Sequence, residues 1–170
     1  FGEEIWSADG STESIAGFDY PTRMIVIRLS DRKLFIWSPV KFSRDLQIAV
    51  DLLGPVGHLV APNTLHHLFM GDWQKAYPEA KSHALPELRA KRPDLKWDSD
   101  LGETPPAAWS KDIDQVVVRG NKRTTEAVFF HHRSRTAIFP DLIQHFEPGC
   151  HCQCRKLYGR DGRNEYALSG

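Results

Sequence analysis

Cysteine is absent from the first 149 residues, and all three thiols, Cys150, Cys152 and Cys154, fall within five positions. A disulfide-stapled secreted domain would spread an even number along its length, so the pattern points to a reducing, cytoplasmic compartment. No apolar run approaches the roughly 20 residues needed to cross a bilayer. The chain opens on Phe1 rather than Met, with no apolar leader, and so reads as processed or as an excerpt. An excess of either charge is also missing, since 22 basic residues balance 22 acidic ones. Affinity for phosphate backbones comes mainly from surplus positive charge, so neither nucleic acid nor a membrane is expected as a partner. There is no HExxH, no paired CxxC, no GxSxG and no Gly-rich phosphate loop. What is present is 170 residues, 41% hydrophobic and 26% charged, enough for one domain with its own core.

Strand patterns come first along the chain. Residues 1–21 mix Gly, Ser, Asp and Glu around Ile5 and Trp6 and read as an edge strand or loop. Residues 24–29 and 34–37 are apolar β-formers around a polar turn at 30–33, a hairpin pattern. Residues 43–53 form the clearest helix, with Ser43 as N-cap, Asp45 in the first turn, and Leu46, Ala49, Val50 and Leu53 on one face. Gly54 and Pro55 end it. Residues 56–61 read as a short buried strand. A second helix, capped by Asn63 or Thr64, is expected to run to about Tyr77, its stripe being Leu65, Phe69, Trp73 and Ala76.

A short strand at 81–84 and a short helix at 86–91 follow, then a long surface loop at 92–110. Strands are expected again at 113–118, 124–131 and 136–139, with a basic turn at 119–123 and a helix starting at 141–146. The tail from 147 is polar and Gly-rich. Strand pairs mixed with helices give an α+β layered architecture. Phe35, Ile36, Leu46, Val50, Leu59, Phe69, Trp73, Val117 and Phe129 are the expected core.

The donors worth weighing lie near strand ends. His66-His67 follow the strand at 56–61, where α/β-type folds place ligand groups. If both sat in one helix they would point roughly 100° apart, so they serve one site only if the helix begins after them. Asp141 follows a strand and suits a ligand or base, yet with Gln144 three positions on it also matches a capping box. His131-His132 lie in a strand, where neighbours face opposite sides, so at most one reaches a pocket. His83 and His145 are further donors without diagnostic spacing. Cys150, Cys152 and Cys154 alternate, and with His145 or His151 could form a Cys3His zinc site. Their spacing lacks the usual CxxC, and free thiols on a poorly structured tail at 150–170 are the expected outcome.

Several segments carry a resemblance. Ile25-Val26-Ile27-Arg28-Leu29, Leu34 to Ser38-Pro39-Val40, Leu53-Gly54, and His58-Leu59-Val60-Ala61-Pro62-Asn63 with Leu65-His66-His67 are similar to an uncharacterised family distantly resembling metallo-β-lactamase-fold hydrolases. So are Asp114 to Gly120, Val128 to His131, and Ser134 to Ile143. The resemblance implies an αββα four-layer sandwich over residues 1–149, with a metal site at the edge shared by its two sheets. The active hydrolases carry His-x-His-x-Asp-His after the matching strand. Here those positions hold Pro62, Thr64, His66 and His67, so only His67 keeps its type. Asp141 resembles the bridging aspartate, with Pro140 where Gly would stand, and the middle histidine is replaced near Arg119-Gly120. The chain also ends soon after Asp141, as a C-terminally truncated member would.

A two-metal hydrolase needs five or six donors around its cations. The resemblance therefore implies a non-classical or inactive hydrolase homologue lacking HxHxDH. Its small-molecule pocket would include Asn63, His66, His67, His131 and Asp141. The alternative is a mononuclear hydrolase in which His66, His67 and Asp141 hold one Zn, Fe or Mn ion.

Overall fold

The computed structural model describes residues 2–15, 18–120 and 125–143. Its first half is a six-stranded sheet in the order β1-β2-β3-β4-β5-β6. Strands β1 (Ile5–Ile15) and β2 (Phe18–Arg28) form a long antiparallel hairpin, with a register shift between Asp9 and Thr12. Strand β3 (Leu34–Trp37) pairs antiparallel with β2, through the turn expected at 30–33. In that turn Asp31 Oδ1 accepts from the Lys33 backbone N–H at 3.0 Å. From β3 onward, β4 (Val56–Ala61), β5 (Lys81–Ala84) and β6 (Ser99–Asp100) add in parallel. Helices α1 (Arg44–Leu53), α2 (Met70–Ala76) and α3 (Pro86–Lys91) make the crossovers, as parallel pairing requires.

Residues of β2, β3 and β4 alternate between two apolar clusters, so these strands are buried on both faces, which is why they read as nearly continuous apolar runs. Met24, Val26, Leu34 and Ile36 pack with Val50, Trp73 and Leu88 of the helices. Ile25, Ile27, Phe35 and Trp37 face a second sheet and meet Ile113, Val117, Phe129 and Ile138. That sheet has three antiparallel strands, β7 (Ile113–Val118), β8 (Glu126–His131) and β9 (Thr136–Ile138). The described residues thus build a helical layer and both sheets of the sandwich. No helix among them is long and apolar enough to cross a membrane.

Local chemistry explains α1. Ser43 is extended and its Oγ accepts from the Leu46 N–H at 3.2 Å. Gly54 ends the helix at φ 151°, with Arg32 O only 2.9 Å from where a Cβ would sit.

The structure corrects several expectations. The second helix begins at Met70, and residues 63–69 are bends and turns. Asn63 Oδ1 accepts from the N–H groups of both Leu65 and His66, at 2.9 and 3.0 Å, closing a tight turn instead of capping a helix. Leu65 is consequently exposed, while Leu46 and Phe69 are only half-buried. The segment at 92–110 is not simply a surface loop. It contributes β6 and drives Trp109 between the sheets, edge-on to Phe35 at 5.2 Å and to His83 at 4.7 Å. Residues 141–143 are bends, not the start of a helix. Gln144, His145, His151, the three cysteines and the tail lie outside the described residues.

Candidate functional site

The parallel strands β3 and β4 end side by side, and each end carries polar groups. Ser38 follows β3 directly, with its backbone N–H donated to Val60 O at 2.8 Å. Its φ is 51°, in the left-handed region that a residue with a Cβ seldom occupies. Pro39 lies next, and pyrrolidine geometry disfavours the helical alternative before it. Beyond β4, Pro62 O accepts from the Ala127 N–H at 2.9 Å, joining this edge to β8. The Asn63 turn then swings His66 back over the end of β3. There its ring lies 5.5 Å from that of Trp37, centroid to centroid.

Asp141 arrives from β9. Its carboxylate Oδ2 accepts from Asn63 Nδ2 at 2.7 Å and lies 3.3 Å from His66 Nε2. The other ring nitrogen, Nδ1, is 2.6 Å from Ser38 Oγ. An ionised Asp141 carboxylate has no hydrogen to give, so a neutral imidazole in this arrangement carries its proton on Nε2, facing Asp141. Nδ1 is then the acceptor, and the Ser38 hydroxyl donates to it.

A buried acid holds the Asp141 segment in place. Glu126 is 1% exposed, and its Oε2 accepts from the backbone N–H groups of Asp141 and Leu142, at 3.2 and 2.9 Å. Oε1 has no partner among the described residues. Burial pushes the Glu126 carboxyl above its ordinary range.

Ser38, His66 and Asp141 line one cavity of about 550 Å³. Its walls are largely apolar, with Ile25, Trp37, Phe69 and Ile138 among them. Trp37 Nε1 is buried and has no partner among the described residues. Toward the β1–β2 hairpin the wall becomes charged, with Asp9 and Arg23 paired at 2.6 Å.

Of the expected site residues, Asn63, His66 and Asp141 come together. His67 reaches the same cavity, but its ring is buried and neither nitrogen has a partner among the described residues. Burial, assisted by the charges of Lys91 and Arg92, lowers its pKa to about 4. His131 does not belong to the site. It lines a separate cavity of about 110 Å³ and lies 2.7 Å from Ser134 Oγ through Nδ1. It stands at the far end of β8 from Glu126 and Ala127, the end that reaches Asp141 and Pro62.

The metal centre expected at His66, His67 and Asp141 is not gathered as a cluster in the structure. Among the described residues no three His, Cys, Asp or Glu side chains gather closely enough to hold a metal ion. The donor chemistry agrees. Asn63 directs an N–H at the Asp141 oxygen nearest His66, and the His67 ring lies in the field of two cationic side chains. The described residues thus present no gathered ligand set for the group implied by the resemblance. Ser38, Trp37 and Glu126 were not singled out from the sequence. The available signals were a polar residue wedged between a strand and Pro39, and a lone acid opening an apolar strand.

The fold is that of metallo-β-lactamases. The structure superposes on a metallo-β-lactamase from Pontibacter korlensis with a TM-score of 0.58 and 12% identity, over 77% of this chain and 64% of that one. It matches the DIM-1 metallo-β-lactamase, in a crystal exposed to ceftazidime, at 0.59 and 14%, over 76% and 62%. The IND-7 metallo-β-lactamase matches at 0.53 and 12%, over 75% and 61%. The chain therefore spans less than two thirds of the length of these solved structures. No curated protein matches it. A family model does, over residues 2–150, and its description is "Domain of unknown function (DUF4336)". With nearly its whole length under that model, the chain belongs to the DUF4336 family.

Proposed function

We propose that this protein binds a small, mainly apolar molecule carrying one carbonyl or similar polar group, without a metal ion. The observation that supports this most directly is the 550 Å³ cavity at the strand ends. Its apolar walls converge on a compact polar floor made by Ser38, His66 and Asp141. Largely apolar pockets with a few placed polar groups are how proteins recognise small ligands. Trp37 lies on the cavity wall, so its indole signal reports on what the cavity holds.

N-butylacetamide, a stable isostere of a short ester, is a suitable probe. On titration into the 15N-labelled protein in chelator, the Trp37 indole and the Leu65 and His66 amide signals should shift saturably. Absence of any shift up to about tens of millimolar probe, or shifts seen only when chelator is left out, would overturn the reading.

A further inference from the structure

We propose that Ser38, His66 and Asp141 constitute a metal-independent acyl-transfer triad acting on short esters. The proposal rests on the reading that this pocket holds a small carbonyl compound, and adds a reaction to it.

Three independent features point to Ser38 as the nucleophile. Its hydroxyl donates to His66 Nδ1 at 2.6 Å, the contact a general base needs. The opposite ring nitrogen stands 3.3 Å from the Asp141 carboxylate, which favours the required tautomer and the imidazolium that forms during reaction. Ser38 also sits at φ 51° on the C-terminal end of a buried strand, so the chain turns sharply and presents the hydroxyl to the cavity. Left-handed backbone at a non-glycine residue is a form of strain that clusters at functional positions. The ring is used in the sense Nδ1 to serine and Nε2 to aspartate, which is chemically equivalent, since either nitrogen can accept. Glu126 and Asn63 are positioning residues, because they act through Asp141.

In the reaction Ser38 Oγ passes its proton to His66 Nδ1 while its oxygen bonds to the ester carbonyl carbon and the carbonyl electron pair moves onto oxygen. When the carbonyl re-forms, the bond to the alcohol oxygen breaks, and His66 returns the proton to that oxygen. Water then gives a proton to His66 as its oxygen attacks the acyl carbon. The carboxylic acid departs, and Ser38 recovers its proton. Ester and water become acid and alcohol, with nothing oxidised or reduced.

The test treats the full chain, in chelator, with a fluorophosphonate probe and separately with p-nitrophenyl butyrate. Intact-mass analysis should show one adduct, mapped to Ser38, and ester turnover. Ser38→Gly suits φ 51° and so should fold, yet it should abolish the adduct. Ser38→Gly and His66→Gln should each lower turnover by about a hundredfold or more. Asp141→Asn should lower turnover and displace its pH–rate profile, which loss of packing alone would not do. His132→Ala, on the exposed rim of β8, should leave both readouts unchanged. No adduct at Ser38 while N-butylacetamide still shifts the Trp37 signal would overturn the triad and leave the binding reading standing. Failure of both would remove both. Turnover undiminished in Ser38→Gly, or seen only when chelator is left out, would also overturn the triad.

Discussion

Asn63 Nδ2 donates to Asp141 Oδ2 at 2.7 Å, across 78 positions of sequence. This bond joins the end of β4 to the end of β9, and hence the six-stranded sheet to the three-stranded one. Asn63 is fully buried, and its Oδ1 also holds the turn that carries His66. One amide therefore sets the positions of two of the three polar groups on the cavity floor.

Asn63→Ala should remove partners from three groups at once. Unsatisfied buried groups cost about 1–3 kcal/mol each where water cannot reach them, so a loss of about 1–3 kcal/mol or more is expected in urea denaturation. A loss within experimental error would mean that the two sheet ends are held by other contacts.

Glu126 offers a second, sharper contrast. Its Oε2 serves two backbone N–H groups, while burial raises its pKa from the ordinary 4.5. A raised carboxyl contributes stability below its unfolded pKa and loses it as pH rises through the folded value. Above that value the wild type carries the loss in full. Glu126→Gln keeps an acceptor oxygen without the charge, so it should be at least as stable as the wild type at pH 8. Glu126→Ala should be less stable by about 1–3 kcal/mol. Denaturation of both variants at pH 8 checks the order.

Acid should destabilise the fold through buried histidines. Burial lowers the pKa of His67 and His83 from 6.5 to about 4, and depresses His58 and His131 as well. The unfolded chain takes up these protons near 6.5 and the folded chain at lower pH, His67 and His83 only near 4. The stability they contribute is whole above about pH 6.5 and is lost as pH falls toward 4. Thermal midpoints should therefore be level between pH 7 and 8 and drop across that window. His67→Leu should make the drop shallower, since no described residue bonds its ring nitrogens.

Core substitutions should separate by depth. Phe35 is fully buried and meets Trp109 and Phe129 edge-on. Phe35→Ala should cost about 3–5 kcal/mol. Leu46 is only partly buried against the helical cluster. Leu46→Ala should therefore cost less than a core leucine, about 1–2 kcal/mol. Equal losses at the two positions would contradict the burial difference.

The elements that sequence reading located best are those whose signal is local. Strands β3, β4, β5 and β7 and helix α3 begin and end where expected. Their bounds follow from apolar runs closed by Pro, Gly or a change of period. Helix α2 began later than expected because Asn63 spends its side chain on a turn, a choice fixed by Asp141 far along the chain. Trp109 looked like a loop residue, since its burial depends on a gap between two sheets that no local pattern encodes. The site divides in the same way. His66 and Asp141 were legible as donors at strand ends. Ser38 joins the floor through a contact with His66, 28 positions away, that no local pattern encodes, and His131 stands apart because it lies at the far end of β8.

The long span between Asn63 and Asp141 has a kinetic side. The β1–β2 hairpin closes over a two-residue gap, and hairpins form in about 1–10 μs. The cavity floor instead awaits three helical crossovers and the docking of a second sheet, contacts whose large sequence separation slows folding. Ser38, His66 and Asp141 can meet only after both sheets are in place. Any intermediate with the first sheet formed and β7–β9 undocked would thus lack the site, so recovery of a Ser38 adduct during refolding would time the final docking step, lagging behind the return of secondary structure.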